Sequence, residues 1–128
     1  WGNLGTVYRW IPGSAPKARA AFLRAIELGQ RAAQITPGDN SIHANLAEYQ
    51  AKLGREAEAL AEVRAIPASQ RRPYMVRIAL AYELLGDRKS AIDTVRTLLV
   101  SPAGLGDIRN DPDLEKLWND PAFQAVLR

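Results

Sequence analysis

Apolar side chains recur along the chain at intervals of three and four residues, as Trp1, Leu4 and Tyr8 show at its start. This interval is the period of an amphipathic helix, whereas a half-buried strand would alternate apolar and polar positions. Clusters of glycine, proline and polar residues separate the apolar stretches. The pattern therefore predicts an all-α fold, with helices over residues 1–10, 14–35, 40–53, 55–66, 70–85 and 87–100.

The last part of the chain contains two dipeptides that predict helix starts. In Asp111-Pro112 and Asp120-Pro121, the aspartate can accept a hydrogen bond from the first turn, and proline suits the first helical position. Asp113 and Glu115 then fall in a first turn, where the helix dipole favours negative charge. We expect the preceding residues 101–106 to form a flexible loop, because they include two glycines and a proline.

The interior turns repeat at a fixed spacing. Leu53-Gly54-Arg55 and Leu85-Gly86-Asp87 are 32 residues apart, and each lies between two predicted helices. Glycine commonly follows the last residue of a helix because it adopts the left-handed conformation needed there. A period in the low thirties is typical of helical solenoids, in which stacked helix pairs bury each other's apolar faces.

The first eight residues, Trp1-Gly2-Asn3-Leu4-Gly5-Thr6-Val7-Tyr8, match the Trp-x2-Leu-Gly-x2-Tyr signature of the tetratricopeptide repeat (TPR). The chain resembles this family over about residues 1–102. It departs from the family pattern at Gly29, where phenylalanine is preferred, and at His43 and Gln50, which replace tryptophan and tyrosine. Small side chains fall where helices must approach closely, at Gly5, Ala25, Ala47, Ala59, Ala79 and Ala91.

The resemblance implies one TPR-like domain over residues 1–128, a right-handed superhelix of stacked antiparallel helix hairpins with a short C-terminal helical cap. Repeat 1 covers about residues 1–37 with an enlarged turn between its helices, repeat 2 about 40–67, repeat 3 about 71–102, and the cap about 107–128. The cap resembles the closing segment of TPR regions in bacterial multidomain signalling proteins. Because the chain starts in mid-pattern at Trp1, we expect it to be part of a longer bacterial protein.

Composition excludes several kinds of chemistry. The 128 residues contain no cysteine and one histidine, which excludes disulfides, thiol catalysis and cysteine-ligated zinc. The net charge is +3, and the basic residues are scattered rather than gathered in the patch typical of nucleic-acid binding. The apolar face of residues 16–35 is expected to pack in the helix stack rather than to enter a membrane. We therefore expect no enzyme activity, cofactor, metal, nucleic-acid partner or direct membrane insertion.

The polar residues that could carry chemistry have structural explanations. His43 is expected to pack on the first helix of the second repeat, because an isolated histidine rarely acts without an orienting partner. The C-terminal aspartates are expected to cap helices rather than to hold a metal, since no glycine-centred calcium loop surrounds them.

The TPR resemblance also implies that the first helix of each repeat lines a concave groove. With Gly2 and Ala44 beside them, the candidate groove residues are Thr6, Arg9, Trp10, Asn45, Glu48, Lys52, Val76, Arg77, Leu80 and Glu83. Their mixture of apolar and charged side chains suits an extended or helical peptide. Arg77 is the best candidate for an acidic partner group, because a guanidinium binds a carboxylate through two parallel hydrogen bonds. We expect Trp10 to pack against the following helix rather than to remain exposed as an anchor.

Chaperone-binding TPR modules grip a terminal carboxylate with five polar residues. Asn45 and Arg77 match two of those five places, so we expect no such clamp. The chain is therefore predicted to be a non-catalytic protein-interaction module, a scaffold that binds a peptide or partner helix in the groove. The alternative is a homodimerisation module of a signalling protein, in which an uncovered end of the helix stack packs on a second copy. A nucleic-acid binder is the third and least favoured alternative. The absence of cysteine fits the cytoplasm and the periplasm alike, with the cytoplasm slightly favoured.

Overall fold

The computed structural model describes residues 1–98 and 102–127, and within them the chain is helical with no strand, which confirms the all-α prediction. Three 3-10 turns cover Ala68–Gln70, Arg72–Tyr74 and Pro112–Leu114. The nine helices of these described residues are α1 (Gly2–Arg9), α2 (Ala15–Ile35), α3 (Asn40–Lys52), α4 (Glu56–Ala65), α5 (Met75–Leu84), α6 (Arg88–Leu98), α7 (Pro102–Asn110), α8 (Glu115–Trp118) and α9 (Pro121–Val126).

The turns after α3 and α5 share one hydrogen-bonding pattern. After α3, the Arg55 N–H donates to the Gln50 carbonyl and the Gly54 N–H donates to the Ala51 carbonyl, both over 2.9 Å. The same two bonds recur after α5, from Asp87 to Tyr82 and from Gly86 to Glu83. This is the Schellman motif, which needs a left-handed residue, and the two glycines have φ angles of +73° and +81°. The predicted glycine stops are therefore confirmed.

The helices pack pairwise as the short turns require. α1 packs on α2, α3 on α4, and α5 on α6, while α2 also contacts α3 and α3 contacts α5. Close approach depends on small residues: a Cβ atom added to Gly29 of α2 would lie 2.7 Å from a methyl carbon of Leu46 in α3. Leu46 thus fills the space that a larger residue at position 29 would take. The six small residues singled out in the sequence are all buried.

The C-terminal segment covers the α5–α6 pair. Leu114, Leu117 and Phe123 are fully buried in one core cluster with residues of α5 and α6. The predicted caps are confirmed, because Asp111 accepts a hydrogen bond from the Asp113 N–H at 2.9 Å and Asp120 accepts one from the Ala122 N–H at 2.8 Å. None of the described helices combines the length and apolarity needed to span a membrane.

Two predicted boundaries are wrong. The expected flexible loop at residues 101–106, with Gly104 and Gly106, instead belongs largely to α7, while position 101 lies outside the described residues. Glycine lowers helix stability by about 1 kcal/mol, but burial of the fully covered Ile108 outweighs this cost. The fifth helix starts at Met75 rather than at 70, because Pro73 lacks an amide hydrogen and favours the preceding 3-10 turn. The predicted end of the sixth helix at residue 100 also lies outside the described residues.

Candidate functional site

Three alternate helices, α1, α3 and α5, line one continuous depression, here called the central groove. Its two parts have volumes of about 370 Å³ and 320 Å³. The parts share Glu48 and Arg77 from the helices and Asp107 and Asp111 from the C-terminal segment. The other lining residues are Gly2, Asn3, Thr6, Trp10, Tyr49, Lys52, Pro73, Tyr74, Val76, Leu80, Asn110, Pro112 and Asp113.

Lys52 forms the floor of the groove next to α1. Its ammonium donates a hydrogen bond to the Thr6 hydroxyl at 3.0 Å and lies 3.8 Å from a carboxylate oxygen of Glu48. It also lies 5.2 Å from the ring centroid of Phe22. Only 4% of the Lys52 side chain is exposed, and lysine is rarely buried unless it is paired. Lys52 and Thr6 therefore hold α1 against α3.

Arg77 is the exposed cation of the groove. Its guanidinium is 3.4 Å from Glu48, yet 47% of the side chain remains exposed. Glu48 thus stands between Arg77 and Lys52. Beside it, burial raises the pKa of the Tyr49 hydroxyl, and the negative charge of Glu48 adds to this effect. The proposed role of Arg77 in binding an acidic partner group stays a prediction.

An ion pair joins the two ends of the fold. The Arg9 guanidinium of α1 lies 2.9 Å from the Asp113 carboxylate, which belongs to the 3-10 turn after α7. The Asp113 side chain is only 7% exposed, whereas that of Arg9 is 30% exposed. Burial raises the pKa of Asp113, and the positive charges of Arg9 and Lys52 partly oppose this effect. We name residues 111–113 the acidic turn.

Sequence reasoning missed the Arg9–Asp113 contact. The sequence predicts Asp113 in the first turn of a helix, and the structure places it in a 3-10 turn directly before α8. No periodicity relates residue 9 to residue 113, so no local pattern could have revealed that their charges meet.

The expected packing of Trp10 is wrong. The residue is 54% exposed and lines the groove opposite the acidic turn. The helical period explains this placement, because residue 10, which directly follows α1, comes one helical turn after Thr6. Gly5 occupies the other face, next to Phe22 of α2. Trp10 also contacts the Arg9 guanidinium, which is 5.9 Å from the ring centroid.

The remaining candidate residues divide into three groups. Val76 is half-buried in the groove wall, and Leu80 lines it from a buried core position. Asn45 is half-buried outside this lining. Glu83 is turned away from the groove, because both of its carboxylate oxygens accept hydrogen bonds from Arg88 at 2.8 Å. Of the two residues placed beside the candidates, Gly2 is buried against Tyr49, and Ala44 is fully buried in the core.

His43 is held by groups on two neighbouring segments. Its Nδ1 lies 2.6 Å from the Glu62 carboxylate of α4, and its Nε2 lies 3.3 Å from the Pro37 carbonyl oxygen. Over residues 1–98 and 102–127, no three acidic, histidine or cysteine side chains converge as a metal site would require.

No family model, curated protein or solved structure matches this chain.

Proposed function

We propose that the chain is a non-catalytic protein-interaction module with a TPR-like superhelical arrangement, which binds a peptide or partner helix in the central groove. The observation that carries the proposal is the continuous groove lined by three alternate helices. Its wall combines the exposed Trp10 ring and the Val76 side chain with the Arg77 guanidinium. Interfaces take much of their affinity from aromatic and arginine side chains of this kind.

The repeated turns support the TPR-like arrangement. The Schellman motifs at Gly54 and Gly86 are 32 residues apart and have the same pair of hydrogen bonds. Repeated turns of one geometry place successive helix pairs in similar orientations, which is how a solenoid acquires a concave face. α1, α3 and α5 are the first helices of the three proposed repeats, so the groove lies on the face expected for binding.

The pairing of the groove charges supports binding rather than catalysis. Glu48 lies between Lys52 and Arg77, Asp113 is paired with Arg9, and Lys52 is buried. Groups already engaged in this way position helices. A catalytic site instead needs a nucleophile or base aimed at open space.

A peptide library screened against the full chain tests the proposal. We expect selected peptides to bind about tenfold more weakly to Trp10→Ala and to Arg77→Ala, because each removes an exposed anchor side chain. Arg96→Ala is the matched control, since Arg96 lies on α6 and pairs with Asp93 outside the groove. If the selected peptides bind both groove variants as tightly as they bind the original chain, the proposal is wrong.

Self-association is a second candidate, supported by the distribution of exposed apolar side chains. In the part of the chain that the structure describes, the large exposed ones all fall within the first 35 residues. They are Trp1, Leu4, Val7, Trp10, Ile11, Leu23, Leu28 and Ile35. Concentrated exposed apolar surface marks interaction sites.

The positive charge of residues 1–35 determines the salt concentration at which self-association should occur. Residues 1–35 contain five lysine or arginine residues and one glutamate, so two such faces repel each other at low salt. We expect light scattering to show a dimer that strengthens with salt and is lost in Val7→Ser and Ile35→Ser. Ala122→Ser, at an exposed site in α9, is the control. A monomer at every concentration and salt would exclude self-association.

A further inference from the structure

Residues 107–113, here called the crossing segment, line the central groove and are opposite in charge to the helices that form its walls. The helices line the groove with two cations, Lys52 and Arg77, against one carboxylate, Glu48. Arg9 of α1 lies outside this lining but pairs with Asp113, which belongs to it. The crossing segment lines the groove with three carboxylates and no cation, at Asp107, Asp111 and Asp113. The segment contacts α5, and its ion pair with Arg9 reaches α1. The acidic turn therefore sits in the groove as a charge-complementary ligand would.

The Arg9–Asp113 contact shows how this groove recognises a carboxylate. The 2.9 Å separation lies within the range of a charge-assisted hydrogen bond. Lys52 is the second cation that acts on the same carboxylate. The sequence pointed to Arg77 for an acidic partner group. In the structure Arg77 lies 3.4 Å from Glu48, and Arg9 engages the carboxylate of the acidic turn. Arg77, on α5, remains exposed for a second acidic group.

The acidic turn combines a nearly buried carboxylate with more exposed neighbours. Burial raises the pKa of the Asp113 carboxyl, and the positive charge of Arg9 opposes this effect. Its neighbours Asp111 and Pro112 are half-buried and exposed, whereas the firmly packed residues begin at Leu114. The core packing of this region belongs to Leu114, Leu117 and Phe123, which follow the acidic turn.

We propose that the acidic turn is an internal ligand of the central groove, and that the external partner is an acidic peptide segment whose carboxylate replaces Asp113 on Arg9. This inference rests on the proposed peptide-binding function and adds the chemistry of the partner. An internal ligand lowers apparent affinity in proportion to the fraction of molecules whose groove is occupied. Removal of the Asp113 charge should therefore strengthen binding of an acidic peptide.

The probe is a fluorescein-labelled synthetic peptide with the sequence of residues 107–118, blocked at both ends. Its binding to the full chain is measured by fluorescence anisotropy. We expect Asp113→Asn to bind the probe about tenfold more tightly than the original chain, because Arg9 is freed. Glu115→Gln removes the same charge two residues away, at an exposed position, and should bind like the original chain. A probe with asparagine in place of both aspartates of the turn should not bind.

A double variant isolates the receptor group. Arg9→Gln combined with Asp113→Asn should lose the gain in affinity, because the cation that takes the carboxylate is gone. Circular dichroism establishes that each variant retains its helices. If Asp113→Asn binds no better than Glu115→Gln, or if its gain survives loss of Arg9, the inference is wrong.

The library peptides of the preceding section separate the two proposals. If those peptides bind in a manner that depends on Trp10 and Arg77 but is unchanged by Asp113→Asn, the groove binds peptides and the internal-ligand inference alone fails. If no peptide, including the probe, depends on any groove residue in any variant, both proposals fail.

Discussion

Gly5 of α1 faces the ring of Phe22, and a Cβ atom added there would lie 2.7 Å from a ring carbon. The ring cannot easily yield, because Tyr49 stacks near it at a centroid distance of 6.1 Å and the Lys52 ammonium lies over it. Gly106 of α7 has the opposite surroundings, since nothing lies within 4 Å of the position its Cβ would take. Close packing thus requires glycine at position 5, whereas position 106 has room for a larger side chain.

The two glycines should respond to alanine with opposite signs. Overpacking costs about 1–3 kcal/mol, and the better helix propensity of alanine returns about 1 kcal/mol. Gly5→Ala should therefore lower the free energy of unfolding by up to about 2 kcal/mol. Gly106→Ala keeps only the propensity gain and should raise it by up to about 1 kcal/mol. Urea denaturation measures both, and equal effects at the two sites would contradict this account.

At the scale of the elements, local hydrogen bonds set where helices begin and end. Asp87 precedes α6 and accepts bonds from the Ser90 N–H at 3.0 Å and the Ser90 hydroxyl at 2.7 Å. The Ser90 hydroxyl and then its backbone N–H lower the pKa of Asp87. These hydrogen bonds stabilise the ionised form of the carboxylate. The stability of the α5–α6 hairpin therefore depends on pH.

Asp87→Ala should destabilise the chain by about 1 kcal/mol at neutral pH, the usual cost of a lost N-cap. Because the pKa of Asp87 is lower in the folded chain than its ordinary 3.8, its contribution is present above that pH. It is lost as the pH falls through the lower folded value. Thermal unfolding measured from pH 7 down to pH 2 should thus show that the stabilities of the variant and of the original chain become equal in acid. Asp93→Ala, an exposed change within α6, should alter stability by less than about 0.5 kcal/mol.

At the scale of the whole molecule, the Arg9–Asp113 pair is asymmetric. Its carboxylate is nearly buried, whereas its guanidinium can reach water. Loss of the cation leaves a desolvated charge behind, but loss of the carboxylate leaves a cation that solvent can satisfy. The two halves of one ion pair therefore have unequal effects on stability.

Arg9→Gln should lower the free energy of unfolding by about 1–2 kcal/mol at pH 7, and Asp113→Asn by less than about 0.5 kcal/mol. The double variant should recover most of the loss. The pKa of Asp113 is raised in the folded chain, so folding favours its protonated form and this advantage is lost as the pH rises through the folded value. The Arg9→Gln defect should accordingly shrink in mild acid. A double variant no more stable than Arg9→Gln would contradict the burial argument.

The sequence predicted what depends on near neighbours. The caps at Asp111 and Asp120 and the stops at Gly54 and Gly86 are determined within a few residues, and all four were predicted correctly. The sequence did not predict the features that depend on tertiary contacts. α7 forms because Ile108 is buried in a core assembled from distant helices, and Arg9 meets its carboxylate only after the helices between them have packed. Of the ten candidate groove residues, Glu83 differs most from expectation, because Arg88 of the next helix holds it away from the groove.

The Arg9–Asp113 pair also has a consequence for the order in which the chain folds. Helix hairpins closed by short turns form early, since they bring together residues that are near in sequence. A contact between α1 and the turn after α7 must wait until every intervening helix is in place, so it should be absent from the folding transition state. Its removal should leave the refolding rate almost unchanged and accelerate unfolding, which would make this one ion pair a determinant of how long the native state persists.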